Sequence, residues 1–251
     1  MRATLYGLAP SNPSHAARLM LERKGIDHRV VNLPPGTHAV TLRLVGFRGG
    51  TVPALRLDRR RVQGSLAISR ALEEAEADPP LFPADPRRRE DVIEAERWGE
   101  RELQELPRRL TRWAALHHAA MREHMARETG IPLPRVAAFL NIPVARHFAR
   151  KVGSDDDELV RGTLLSIPAA LDRIEELIAA GTIGASEPNA ADFQIAPTIR
   201  CLLTFGDLEP LLAGRRAAAY AQELLPDYPT TVPAGMLPTE WIAELRRALR
   251  G

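Results

Sequence analysis

Ser11 and Asn12 stand just before Pro13 in the stretch APSNPSHAARLML, and the apolar residues that follow recur at helical spacing. Proline suits a first helical position because the N–H it lacks would have no partner there, so a helix starts at this point. A hydroxyl and the unpaired N–H groups of that end lie together and favour an anion. The dipole contributes about 0.5 to 1 kcal/mol, and a hydroxyl hydrogen bond to a charged atom about 1.5 to 3 kcal/mol. Plain N-capping by Ser11 is the other reading of the same residues. Ser14, one turn on, is a second hydroxyl available to the same chemistry.

A second group lies in GTVPALRLDRRRVQGSLAI, residues 50 to 68. Pro53 removes a ladder donor, so it belongs before a strand and not within it. The alternation Leu55, Leu57 against Arg56, Asp58 begins directly after it. The backbone of Val52 is thereby left with polar groups that a neighbouring strand does not satisfy, and such groups can hold a ligand. Gln63, Gly64 and Ser65 then open a further helix, whose N-terminus suits a carboxylate.

The chain of 251 residues is 45% hydrophobic and 26% charged, an ordinary globular composition with room for a sizeable core. No apolar run is long enough to span a bilayer, and no signal-peptide pattern precedes Tyr6, so a soluble cytoplasmic protein is expected. A formal net charge of +2, with acids and bases interleaved, lacks the field that nucleic acid requires. The runs Arg59 to Arg61 and Arg87 to Arg89 read as a solvated turn and a solvated helix start. Cys201 is the single cysteine, which excludes an internal disulfide and a cysteine zinc cluster, and its apolar helical surroundings make it a core thiol. No metal is expected: adjacent His117 and His118 point about 100° apart on a helix and cannot share one ion.

The elements that must position these residues fall into two patterns. Residues 1–77 read as βαβαββα: strands at Thr4 to Leu8, His28 to Asn32, Ala54 to Asp58 and Val62 to Gln63, with helices from Pro13 to Lys24, Val40 to Leu44 and from Ser65. A mixed sheet follows, because the first βαβ unit is parallel and the closing hairpin antiparallel. EADPPLFPADPRRR, with four prolines, marks a linker placed at 78–88. Residues 89–251 read as helices only. Leu103, Leu106, Leu110, Trp113 and His117 share one face of a long helix that Pro107 should kink or interrupt, and TGIPLP ends it. GSDDDELV starts another helix, and Asn189 with Asp192 forms a capping box before a helix apolar on all sides. The tail TEWIAELRRAL is a short amphipathic helix.

These features in this order resemble the glutathione transferase family, through NLPPGTHAVTLRL, TVPALRL, GSLAISRALEE, LFPADPRRR and SEPNAADFQIAP. The resemblance spans nearly the whole chain. It implies a thioredoxin-like N-terminal domain followed by an all-helical one, with a serine- or cysteine-type thiol site. It also implies a cis bond before Pro53, with the Val52 backbone pairing the cysteinyl part of glutathione. In that frame Ser11 matches the residue that donates to the thiol sulfur, Asn12 stands beside it, and Ser65 with the start of its helix meets the far carboxylate of the ligand.

His38 matches a histidine that binds the glycyl carboxylate, and a solvated loop histidine is the other reading. The sequence departs from the family at Gly64, where a glutamate usually pairs with the γ-glutamyl amine, and at Gly50, where some classes carry a basic residue. Gln63 or an acid from a second subunit is a candidate to replace the missing acid. The electrophile pocket is expected between the domains, with Trp98, Trp113 and His117 as lining candidates beside their plain reading as core. The resemblance also implies a homodimer, with a small-molecule thiol and an electrophile as partners and neither nucleic acid nor membrane. Two alternatives remain: a noncatalytic binding or scaffold protein, and a transferase using another low-molecular-weight thiol.

Overall fold

Four strands lie near the N-terminus of the computed structural model, which describes residues 1–34 and 36–250. They are β1 (Ala3–Gly7), β2 (His28–Asn32), β3 (Ala54–Leu57) and β4 (Arg60–Gln63). The sheet order is β2-β1-β3-β4, with β1 and β2 parallel and the other two pairings antiparallel. The expected mixed sheet is therefore present. Three helices accompany it: α1 (Asn12–Arg23), α2 (His38–Leu44) and α3 (Ser65–Ala75). Ala16, Ala17, Met20 and Leu21 of α1 and Ile68, Ala71 and Leu72 of α3 are buried, and they join Leu5, Leu55 and Leu57 of the sheet in one core cluster. The hairpin turns at Asp58, whose φ of 49° is one of two positive values outside glycine among the described residues.

Everything after residue 85 in the described chain is helix or connection. The helices are α4 (Pro86–Trp98), α5 (Glu105–His117), α6 (Ala119–Glu128), α7 (Pro134–Leu140), α8 (Ile142–Arg150) and α9 (Asp157–Leu165). They continue as α10 (Ile167–Ala179), α11 (Ala190–Leu203), α12 (Glu209–Leu212), α13 (Arg216–Leu224) and α14 (Thr239–Ala248). Gly251, the end of the expected helical part, lies outside the described residues. At the core sits α11, buried along Ala190 to Ile199, as its nearly all-apolar sequence requires, with Asp192, Gln194 and Thr198 buried among the apolar residues. The capping box read from sequence is formed: the Asn189 side chain accepts from the Ala191 and Asp192 N–H groups, and Asp192 accepts from the Asn189 N–H at 2.9 Å. Asp192 also accepts from the Gly184 N–H at 2.7 Å and the Tyr220 hydroxyl at 2.8 Å.

The single long helix running to TGIPLP is a correction. A π-helical turn, Gly99–Leu103, separates α4 from α5, and Pro107 falls in the first turn of α5, where its missing N–H breaks nothing. His118, in extended backbone, ends α5 before α6 begins.

Candidate functional site

Strand register brings the chemistry-bearing residues to one end of the sheet. Tyr6 near the end of β1 pairs with Ala54 at the start of β3, and Ala54 pairs with Gln63 at the end of β4. The turn after β1, the Val52-Pro53 peptide before β3 and the Gly64-Ser65 step after β4 therefore lie side by side. Gly7 pairs with Asn32, so the segment from β2 to His38 leaves from the same end.

Ser11 is the N-cap of α1 in extended backbone, and its Oγ accepts from the Ser14 N–H at 3.4 Å. Accepting leaves its own proton available to donate, so capping and donation are compatible in one hydroxyl. Ser14 is buried, where its Oγ accepts from the Leu8 N–H at 3.3 Å. Asn12 faces the helical part, its amide nitrogen donating to the Thr198 hydroxyl on α11 at 2.8 Å. The Ser11 turn is held from below by two side chains that contact consecutive carbonyls. His15 Nε2 lies 2.9 Å from the Ala9 oxygen, and the Tyr228 hydroxyl donates to Pro10 at 3.1 Å. Cys201 lies against Tyr228, and burial pushes its thiol up to about 11, which removes it as a nucleophile.

The Val52-Pro53 bond is cis, and among the described residues neither backbone group of Val52 takes a hydrogen-bond partner. Pro53 accepts from the Gly64 N–H at 3.0 Å. Gly64 itself has φ 88° and ψ 143°, a conformation essentially reserved for glycine, which is a local reason for the absent glutamate. Ser65 is buried at the start of α3. Gln63 has another task than the one expected of it. Its oxygen accepts from the Gly49 N–H at 2.8 Å and its nitrogen donates to the Thr51 carbonyl at 3.1 Å, so its amide fastens the loop before Val52. Gly50 has a steric reason too: a β-carbon there would lie 2.8 Å from that of Ala39.

A cavity of about 250 Å³ opens beside this end of the sheet. Leu8, whose carbonyl accepts the Ser11 N–H at 3.0 Å, forms part of its wall with Gly36 and His38. Thr111, Arg112 and Ala115 of α5 face them, with Arg122 of α6 and Phe148 of α8. The His38 ring stacks on Phe148 at 6.3 Å, and its buried Nδ1 has no partner among the described residues. Burial lowers the His38 pKa, and Arg112 and Lys151 lower it further.

The three lining candidates do not reach this cavity. Trp113 is buried on the opposite side of α5, where it donates to Asp157 at 2.8 Å and packs on Trp241. His117 stacks on Trp113 at 4.4 Å, and Trp98 lies in the core with Arg173 over its ring. The cavity uses the other face of α5, one to two residues round the helix, because the broad apolar face is spent on the core. Arg112 and Arg122 were missed, although a sequence signal existed. Positions three and four away from each hold no acid, so neither can pair along its own helix.

Among the described residues no group of three or more His, Cys, Asp or Glu could hold a metal, and no helix is long and apolar enough to cross a membrane.

Residues 5–80 match the family described as glutathione S-transferase, N-terminal domain. No curated protein matches the chain. Solved structures share its fold. A glutathione S-transferase from Rhodospirillum rubrum F11 is 18% identical, covers 97% of this chain and 99% of its own, and has a TM-score of 0.58. Poplar glutathione transferase F1 is 15% identical over 98% of this chain and 99% of its own, with a TM-score of 0.61. Beta-etherase LigF from Sphingobium sp. strain SYK-6 is 21% identical over 89% of this chain and 99% of its own, with a TM-score of 0.58.

Proposed function

From the premise that this chain is a glutathione S-transferase family member, through residues 5–80 and its fold, we propose that it transfers a small thiol, glutathione, to an electrophile. One observation carries the reading. The strand register gathers a hydroxyl at a helix N-terminus, an unpaired peptide edge and a second helix N-terminus at a single sheet end.

Each group has a task in that reaction. A free thiol with a pKa near 8.5 is mostly protonated at neutral pH, and lowering it by two units takes about 2.7 kcal/mol. The Ser11 hydroxyl, donating to the sulfur, contributes about 1.5 to 3 kcal/mol, and the start of α1 about 0.5 to 1. The Val52 peptide pairs with the backbone of the cysteinyl residue, and Ser65 with the first N–H groups of α3 binds the distal carboxylate. The thiolate then bonds to the electrophilic carbon, the leaving group departs with its electron pair, and the thiol proton passes to solvent.

Gly64 and the commitment of Gln63 favour a second reading, in which the thiol is one without a γ-glutamyl amine. Calorimetric binding and conjugation of 1-chloro-2,4-dinitrobenzene, run with glutathione and with N-acetylglutathione, separate the two. Binding only when the amine is free supports glutathione itself; equal use of both supports the second reading. Ser11→Ala should lower the conjugation rate ten- to a hundredfold, with loss of the thiolate absorbance near 240 nm. No heat and no turnover at millimolar thiol would leave a noncatalytic binding protein.

A further inference from the structure

The cavity beside the Ser11 turn is apolar but carries cations without counter-charges among the described residues that line it. Ala115, Met125, Ile131 and Val144 supply aliphatic surface, and Phe148 supplies a ring. No aspartate or glutamate lines it among the described residues. Arg122 is anchored by backbone alone, donating to the carbonyls of Ala138, Ala115 and Leu116. Arg112 takes no hydrogen bond and no carboxylate among the described residues, and its guanidinium carbon stands 5.7 Å from the Phe148 ring centroid.

Two other partly buried arginines of the helical part do find carboxylates. Arg215 bonds Asp172 and Glu175, and Arg161 bonds Glu158 and Glu244. Burial disfavours the charged form of Arg112, and neighbouring Arg108 adds to the effect against a smaller opposing pull from Glu105. An arginine nonetheless stays protonated, so the hollow holds a forked, partly desolvated cation whose complement is an oxyanion.

We propose that this cavity selects electrophiles bearing a carboxylate on an aromatic body, the carboxylate on Arg112 and the ring against Phe148. That such a guest is an electrophile rests on the transferase reading; that it is anionic rests on the cavity alone. The carboxylate could also be one of the thiol's own, since His38 lies in the same wall, and the test distinguishes the two sources.

Two unreactive probes, 3,5-dinitrobenzoate and 3,5-dinitrobenzamide, differ only in the charged group. Calorimetry should show the benzoate binding about ten- to a hundredfold more tightly, the range of a charge-assisted hydrogen bond. Arg112→Gln should bring the two within about threefold of each other, while Arg112→Lys should keep part of the preference because the charge remains. Saturating glutathione should not displace the benzoate. The reactive pair, 4-chloro-3,5-dinitrobenzoate and its amide, extends the test to kcat/KM. The thiolate sulfur bonds to the ring carbon, the C–Cl bond breaks, and chloride leaves with the electron pair. The ratio of the two kcat/KM values should fall in Arg112→Gln as the binding ratio does.

A benzoate preference in binding, lost in Arg112→Gln, upholds the anionic pocket even if neither chloride turns over; the transferase reading alone then falls. Equal binding of benzoate and amide by the unaltered protein overturns the proposal, as does a preference that survives Arg112→Gln. Displacement of the benzoate by glutathione assigns Arg112 to the thiol and also overturns it.

Discussion

At Gly64 a backbone angle decides which side chain the site can carry. The residue after β4, whose N–H bonds the Pro53 carbonyl, must accept φ 88° and ψ 143° for the chain to turn from there into α3, and no space argument enters, because nothing lies within 4 Å of a β-carbon there. Gly64→Ala should therefore cost about 1 to 3 kcal/mol, read as a lowered denaturation midpoint, through backbone strain alone. Glycine at 64 was plain in the sequence; its reason was not, since φ depends on where β3 lies. Ser11 was legible as a cap and as a donor, and the observed geometry suits both roles. The guests of Gln63 and Asn12 were not legible: both amides are taken by partners that the fold brings near, Gly49 and Thr51 for one and Thr198 for the other.

Among the elements, α11 was the easiest to read and α5 the easiest to misread. A helix apolar on every side has only one place to go, and its cap residues are local, so Asn189 and Asp192 could be named from spacing. What spacing could not show is that Asp192 also serves Gly184 and Tyr220. Asp192→Ala should thus remove more than a cap: about 2 to 4 kcal/mol, from several buried donors left without an acceptor, measurable by chemical denaturation. The aromatic face of α5 looked like a pocket wall because Trp113 and His117 share it. Burial of that face against Trp241 and Asp157 turns the site to the face carrying Thr111, Arg112 and Ala115.

Across the whole molecule, the chain's late segment returns to brace its beginning. Tyr228 bonds Pro10 and packs on His15 with ring centroids 4.8 Å apart, so residues more than two hundred positions apart hold the turn that presents Ser11. Because its partner is a carbonyl, the His15 Nε2 carries a proton in the neutral ring, and burial lowers its pKa below the ordinary 6.5. The unfolded chain takes up a proton near that value while the folded one resists, so this contribution to stability is lost as pH falls below about 6.5. Stability relative to His15→Gln, followed by urea denaturation from pH 7.5 to 5, should shrink as pH falls; a constant difference would contradict it.

Residue types and periodicity were enough to determine the βαβαββα order, the helical remainder, the break before Pro53 and the caps of α1 and α11, because each depends on neighbours within a few positions. Tertiary structure alone decided which groups remain free for chemistry. A side chain's spare hydrogen bonds and charge depend on what distant segments lay beside it, and by that criterion, among the described residues, Gln63, Asn12 and Trp113 are spent, while Ser11, the Val52 peptide and Arg112 are not.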